Sequence, residues 1–382
     1  MEIYVVKPED TVDTIAAAYG ISSESIIYNN QLSYPYALAI GQALLLSVSS
    51  NDTPSYNAFS NGYAYPFIKN NTLEETLPFL SSLSVFSYGF TTEGALIPPQ
   101  IDDRFMITSA YAFQTRPILT LTPFGPDGQF NNYLITTLVN SESIKRTLLQ
   151  NLLTTMEEKD FAGLDIDFEY ILPEDRVPFA DFVADAREFL SPYGYPVSVA
   201  LAPKTSDDQA GLLYEGKDYG LLGAAADSVL LMTYEWGYTY GPPMAVAPIN
   251  KVREVVEYAV TKIPPSKIDL GIPNYGYDFT LPYQRGISKA RTISNLEAIR
   301  IAIEKGVPIS FDEIAMSPFF QYQEDGVLHE VWFEDVRSLK EKYSLLPQYN
   351  LRGIGVWQIM NLFRAGWLLF EDQFLILKRS AR

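Results

Sequence analysis

The chain has no cysteine and a single histidine, His329, among its 382 residues. Without thiols there can be no disulfide, no cysteine nucleophile and no thiolate-bound zinc. One imidazole removes histidine-based triads and multi-histidine metal centres from consideration. No glycine-rich phosphate loop and no G-x-S-x-G elbow is present. No apolar run reaches the length that spans a bilayer. The opening residues MEIYVVK lack the basic-then-apolar order of an ordinary signal peptide, so none is expected. Basic residues are scarce: 28 Lys and Arg face 46 Asp and Glu, for a net charge of −18. That balance argues against nucleic acid and against anionic membrane surfaces as partners. What remains is carboxylate and tyrosine chemistry. The 26 Tyr, 22 Phe and 4 Trp can supply sugar-stacking surfaces as well as a core.

Residues 161–170, FAGLDIDFEY, alternate acids with apolar side chains. As a β-strand they put Asp165, Asp167 and Glu169 on one face, with Leu164, Ile166, Phe168 and Tyr170 on the other. Residues two apart on a strand are separated by roughly 6.5 Å, so Asp167 and Glu169 can share a pocket. Carboxylates that close cannot both ionise cheaply, and one pKa should rise. A protonated carboxyl beside an ionised one is equipment for general acid catalysis.

Around this strand the pattern is that of an α/β protein. Ile144, Leu148, Leu152 and Met156 recur at helical spacing in residues 140–160, and Phe179, Phe182, Val183, Ala186 and Leu190 do so after the strand. Strand and helix in alternation mean a parallel sheet covered by helices. The acidic face then points inward, where three carboxylates are costly without a role. Strands are expected at 83–90, 95–98, 117–122, 163–170, 196–203, 228–235, 268–275 and 353–359, which suits a (β/α)8 TIM barrel over residues 58–382. The gap of about 278–335 reads as a small α+β insertion. Residues 1–47 read as a self-contained β-α-α-β unit, and the polar stretch 48–57 as a linker.

The first unit resembles a LysM module. The residues that carry the likeness are Tyr4 to Val6, Asp10-Thr11, Ile15-Ala16, Tyr19-Gly20, Asn29-Asn30 and Ile40 to Gln42. The resemblance implies binding of peptidoglycan- or chitin-type glycans that contain N-acetylglucosamine. The larger part resembles the family-18 glycoside hydrolases. Gly163 to Glu169 (GLDIDFE) is similar to their D-G-x-D-x-D-x-E signature, Met232 to Trp236 to the sixth-strand motif, Gly271 to Gly276 to the seventh and Gly355 to Gln358 to the eighth. Within the family, Gly62 to Pro66, Ser84 to Phe90, Ala202 to Lys204, Gly241 to Pro243 and His329 to Asp335 are similar to the LysM-bearing enzymes of spore cortex lysis.

That resemblance implies substrate-assisted retention. Glu169 would be general acid and base, Asp167 would orient the substrate acetamido group, and Asp165 would modulate Asp167. Tyr234 would donate to the acetamido oxygen, and Trp357 would floor the sugar site. Trp236, Tyr88, Tyr275 and Glu235 are further substrate-binding candidates, with Tyr277 beside them; Lys204 could pair with a cleft acid, and His329 reads as structural. Ala162 stands where the signature has its first Asp, and Glu235 where Asp is commoner. The expected function is an N-acetylglucosaminidase acting on spore-cortex peptidoglycan, without cofactor or metal, as a monomer. The expected location is the spore (cortex or coat) or the cytoplasm of the producing cell. Three alternatives stand beside it: a chitinase or chito-oligosaccharide hydrolase, a lectin-like barrel without turnover, and a cation site built on the three acids.

Overall fold

Thr11 and Thr14 cap each other reciprocally and start the helix Val12–Tyr19, and Gly20 ends it in the left-handed conformation at φ 65°. A second helix, Ser23–Asn29, follows, and the strands Glu2–Val5 and Ala43–Leu46 pair antiparallel beneath both. Asn30, buried, accepts from Leu45 N–H at 2.7 Å and donates back to the Leu45 carbonyl at 3.0 Å, tying the helix pair to the sheet. Val12, Ile15, Ala16, Ile26, Leu44 and Leu46 close a small core of their own. The computed structural model describes residues 1–48, 53–125 and 128–378, so residues 49–52 of the expected linker lie outside the described residues. Tyr56 and Asn57, read as linker from composition, are already strand.

Eight parallel strands form the barrel: β1 (Tyr56–Ala64), β2 (Ser82–Phe90), β3 (Arg116–Leu121), β4 (Leu164–Ile166), β5 (Val197–Leu201), β6 (Ser228–Leu231), β7 (Ile268–Pro273) and β8 (Gly353–Trp357). Each pairs with its neighbour, and β8 returns to pair with β1, closing the ring. Helices cover the outside. The helix Glu142–Lys159 buries Leu148, Leu152 and Met156 as its spacing predicts, and Arg176–Leu190 buries Phe179, Phe182, Val183, Ala186 and Leu190. Between β7 and β8 a five-stranded antiparallel sheet and the helix Asn295–Lys305 form the α+β insertion.

Three strand expectations need correction. The expected strand 95–98 is a two-residue piece, Leu96–Ile97, antiparallel to the end of β2 and outside the barrel. Its place is taken by β1, whose inward residues Phe59, Asn61 and Tyr63 mix polar with apolar and give no clear period. The acid strand is also shorter than its alternation suggests, ending at Ile166. Asp167 N–H still donates to the Leu121 carbonyl at 2.9 Å. Tyr170, expected among the apolar side chains, instead turns out at φ 57° and is exposed.

The N-terminal module sits on the barrel's flank. The Met1 ammonium pairs with Asp372 at 2.9 Å. The Arg364 guanidinium lies 4.1 Å over the Tyr28 ring and donates to the Tyr28 carbonyl. Ile309 N–H donates to the Ile40 carbonyl at 2.8 Å. Gly41, at φ 83°, comes so near that a Cβ there would lie 1.9 Å from the Ile309 carbonyl oxygen.

Candidate active site

The C-terminal ends of the barrel strands open into a cleft of about 750 Å³. Asp167 and Glu169 arrive there because β4 stops at Ile166 and the chain then bends outward while keeping its alternation: Phe168 is fully buried among Phe90, Phe179 and Phe182, and the acids take the other side. Tyr234, Glu235 and Trp236 follow β6, and Trp357 ends β8; all four line the cleft. Trp357 is braced edge-on by Phe86, with ring centroids 4.8 Å apart, and by Tyr65 at 6.0 Å.

Asp165 lies one pleat deeper and does not reach the cleft. It accepts from Ser198 Oγ at 2.6 Å and from Tyr63 Oη at 3.0 Å. Beneath it a small cavity of about 60 Å³ runs down the barrel interior towards Asp269 and Arg352. Burial raises the pKa of Asp165, against the lowering pull of the Ser198 and Tyr63 hydrogen bonds. Asp167 is pushed well above the usual carboxylate range, first by burial and then by the charge of Glu169. Glu169 is pushed up too, by burial, with the Lys217 ammonium pulling the other way. The two therefore behave as a pair that retains a proton where isolated carboxyls would have lost it. The sequence anticipated one raised pKa; both are raised, and Asp167 more strongly. Asp167 Oδ1 is buried and accepts no hydrogen bond among the described residues. Tyr234, buried next to these acids, is held well above its ordinary pKa by burial and then by Asp167, so it stays a neutral donor.

The other candidates sort differently. Glu235 accepts from Tyr275 Oη at 2.5 Å and Tyr277 Oη at 2.8 Å, and burial raises its pKa in spite of both. Tyr275 thus supports Glu235 from behind and does not line the cleft. Tyr88 is no substrate-binding residue: it is fully buried, donating to Asp103 at 2.6 Å and accepting from Lys159 at 2.8 Å. The register of β2 against β3 shifts between Val85 and Tyr88, which turns that ring away from the cleft. Lys204 donates to the carbonyls of Asp207 and Lys217, not to a cleft acid. His329 hydrogen-bonds Asp278 at 2.8 Å and stacks on Tyr322 within the insertion. Tyr65, Phe86, Phe124, Phe130, Tyr170, Tyr214 and Tyr238 also line the cleft. Composition and period do not single these seven out of 48 Tyr and Phe residues, because which aromatic faces the opening depends on loop geometry. Among the described residues no group of three or more His, Asp and Glu is arranged to hold a metal ion.

A carboxyl pair sharing a proton, a neutral tyrosine donor and an indole floor in one groove can protonate a glycosidic oxygen and hold a pyranose ring. Comparison with known proteins agrees. Residues 73–361 match the glycosyl hydrolases of family 18, and residues 4–47 match the LysM domain. The cortical fragment-lytic enzyme of Bacillus subtilis is 35% identical, over 100% of this chain and 100% of that protein. The crystal structure of the Bacillus cereus spore cortex-lytic enzyme SleL superposes with a TM-score of 0.94 at 31% identity, covering 99% of each chain. A chitinase from Chromobacterium violaceum shares the fold, with a TM-score of 0.75 at 23% identity over 82% of this chain and 98% of that one.

Proposed function

This chain belongs to the glycosyl hydrolases of family 18, and we propose that the glycosidic bonds it cleaves are N-acetylglucosamine linkages of spore-cortex peptidoglycan or its fragments. The observation that carries the substrate is the end-to-end likeness to a cortical fragment-lytic enzyme, at 35% identity over 100% of both chains. The family's substrate-assisted mechanism needs no protein nucleophile. In this reading the acetamido oxygen of the bound sugar attacks C1 as the C1–oxygen bond breaks, and Glu169 gives its proton to the leaving oxygen. Asp167 accepts the acetamido N–H, an interaction that favours its ionised form and leaves the pair's proton on Glu169. Tyr234 donates to the acetamido oxygen, and Asp165, held by Ser198 and Tyr63, steadies Asp167 from below. Glu169 then takes a proton from water, which opens the oxazolinium ring and restores the acetamide at a retained anomeric centre.

Trp357 floors the sugar site, with Trp236 and Glu235 on its wall. The LysM module would hold the same polymer while the barrel cuts it. Action as a monomer is part of this reading, and the names of the relatives support a place in the spore. Among the described residues no helix is long and apolar enough to cross a membrane. Mass spectrometry of products from cortex fragments and, separately, from chito-oligosaccharides tests the reading. New reducing N-acetylglucosamine ends from cortex are expected. Cleavage of chito-oligosaccharides alone would move the substrate to chitin, and binding of both without cleavage would contradict the hydrolase.

A further inference from the structure

Lys217 takes part in none of these steps, yet it is 0% exposed. It lies in the loop after β5, and its Nζ donates to the Ala200 carbonyl of that strand at 2.6 Å. Strands β4 and β5 run in the register Asp165 to Ser198 and Ile166 to Val199. Ala200 and Asp167 are the next residues of the two chain segments, just past the end of this pairing. Lys217 does not line the cleft; burial lowers the pKa of its ammonium, and the charges of Asp167, Glu169 and Asp165, in that order, raise it.

The loop is fixed at both ends of the lysine. Gly216 lies against Ile171, where a Cβ would come within 2.3 Å of the Ile171 carbonyl oxygen. The Lys217 carbonyl accepts from Lys204 Nζ at 2.9 Å, and its N–H donates to the Tyr214 carbonyl at 3.0 Å. Ile171 is two residues beyond Glu169, so the segment carrying the cation is locked to the segment carrying the acid. One neutral carbonyl does not balance a buried ammonium.

The titratable groups around it are few. Asp165, Asp167 and Glu169 come from β4 and its continuation, Tyr63 and Tyr65 from β1 and its end, and Tyr234 and Glu235 from the end of β6. Lys204, Tyr214 and Tyr219 stand on its own side. Burial holds Tyr63, Tyr65, Tyr219 and Tyr234 above their ordinary pKa, and Lys204 is engaged by carbonyls. Lys217 is the cation that pulls Asp165, Asp167 and Glu169 all downward against their burial.

We propose that Lys217 is a positioning residue of the hydrolysis: its buried ammonium is the counter-charge of the Asp165–Asp167–Glu169 row and sets the pH range over which that row holds its proton. The inference rests on the assignment of this row to catalysis. Carboxyl 13C NMR titration of the full chain, wild type against Lys217→Met, reads the effect without substrate. The Asp167 and Glu169 titrations, assigned with Asp167→Asn and Glu169→Gln, should move up by about one pH unit or more. The profile of kcat/KM against pH on cortex fragments should move the same way, as a whole. A role confined to packing would lower activity or Tm and leave both positions in place; folded Lys217→Met with unmoved titrations overturns the proposal. If Lys217→Met does not fold, adding Asp165→Asn removes one of the carboxylates left uncompensated and should restore folding; a double variant as unfolded as the single also overturns it. Titrations that move in a protein that leaves cortex uncut keep the counter-charge and instead overturn the substrate assignment.

Discussion

Asp167 carries the largest electrostatic burden among the proposed catalytic side chains. Its carboxyl is buried, one oxygen accepts no hydrogen bond among the described residues, and its pKa is raised well above the ordinary value. A carboxyl that keeps its proton in the folded state after the unfolded chain has lost it lowers stability as pH rises. The loss begins near the ordinary value, about pH 4, and continues up to the raised folded value. Asp167→Asn removes this dependence. The variant should melt higher than wild type at pH 8 and level with it near pH 4, while kcat falls by about 10²–10³-fold with the loss of the electrostatic group. Thermal melts across pH check the first part, and parallel curves for the two proteins would contradict it. At this scale the placement of Asp167, Glu169, Tyr234 and Trp357 at the cleft was legible because each belongs to a strand-end motif. Tyr88 and Tyr275 were not. A register shift in β2 and a partner for Glu235 are features of backbone and packing that a one-dimensional pattern does not carry.

Elements with a strong period were the readable ones. The helices Glu142–Lys159 and Arg176–Leu190 bury the faces their spacing marks. The first barrel strand was hidden because YNAFSNGYA puts Asn61 and Tyr63 into a polar barrel interior and has no β-branched residue. How the insertion rejoins the barrel was hidden as well. There Glu334 and Lys342 form an ion pair at 2.8 Å with both side chains fully buried, where the sheet's last strand hands over to the helix Val336–Tyr349. Ser338 Oγ donates to the same carboxylate at 2.5 Å. Removing one partner of such a pair leaves a buried charge uncompensated. Lys342→Met should therefore cost roughly 3–5 kcal/mol of unfolding free energy, read by urea denaturation near neutral pH. A loss below about 1 kcal/mol would mean that the pair is not what anchors the insertion.

For the whole molecule, the order of module, barrel and insertion was legible, and the way the module docks was not. Its contacts join residues far apart in the chain: Met1 with Asp372, Tyr28 with Arg364, and Gly41 with Ile309. Gly41 looks like an ordinary turn glycine in sequence, but it also lies against Ile309, where the module meets the insertion and a side chain would collide. Docking of this kind gives the LysM module a fixed bearing on the barrel, which suits the proposed polymer substrate. The acidic balance of −18 belongs to this scale too. Behind the cleft, Lys217 sets one positive charge against Asp165, Asp167 and Glu169.

The proposed proton donor is Glu169, which lines the cleft at the open end of the fourth strand. The measurement that tests this most directly is kcat/KM of Glu169→Gln on cortex fragments, beside wild type and with folding verified by the thermal melt. Loss of a general acid predicts a fall of about 10²–10⁴-fold with the fold intact. A folded Glu169→Gln protein that cuts cortex at the wild-type rate would contradict the account.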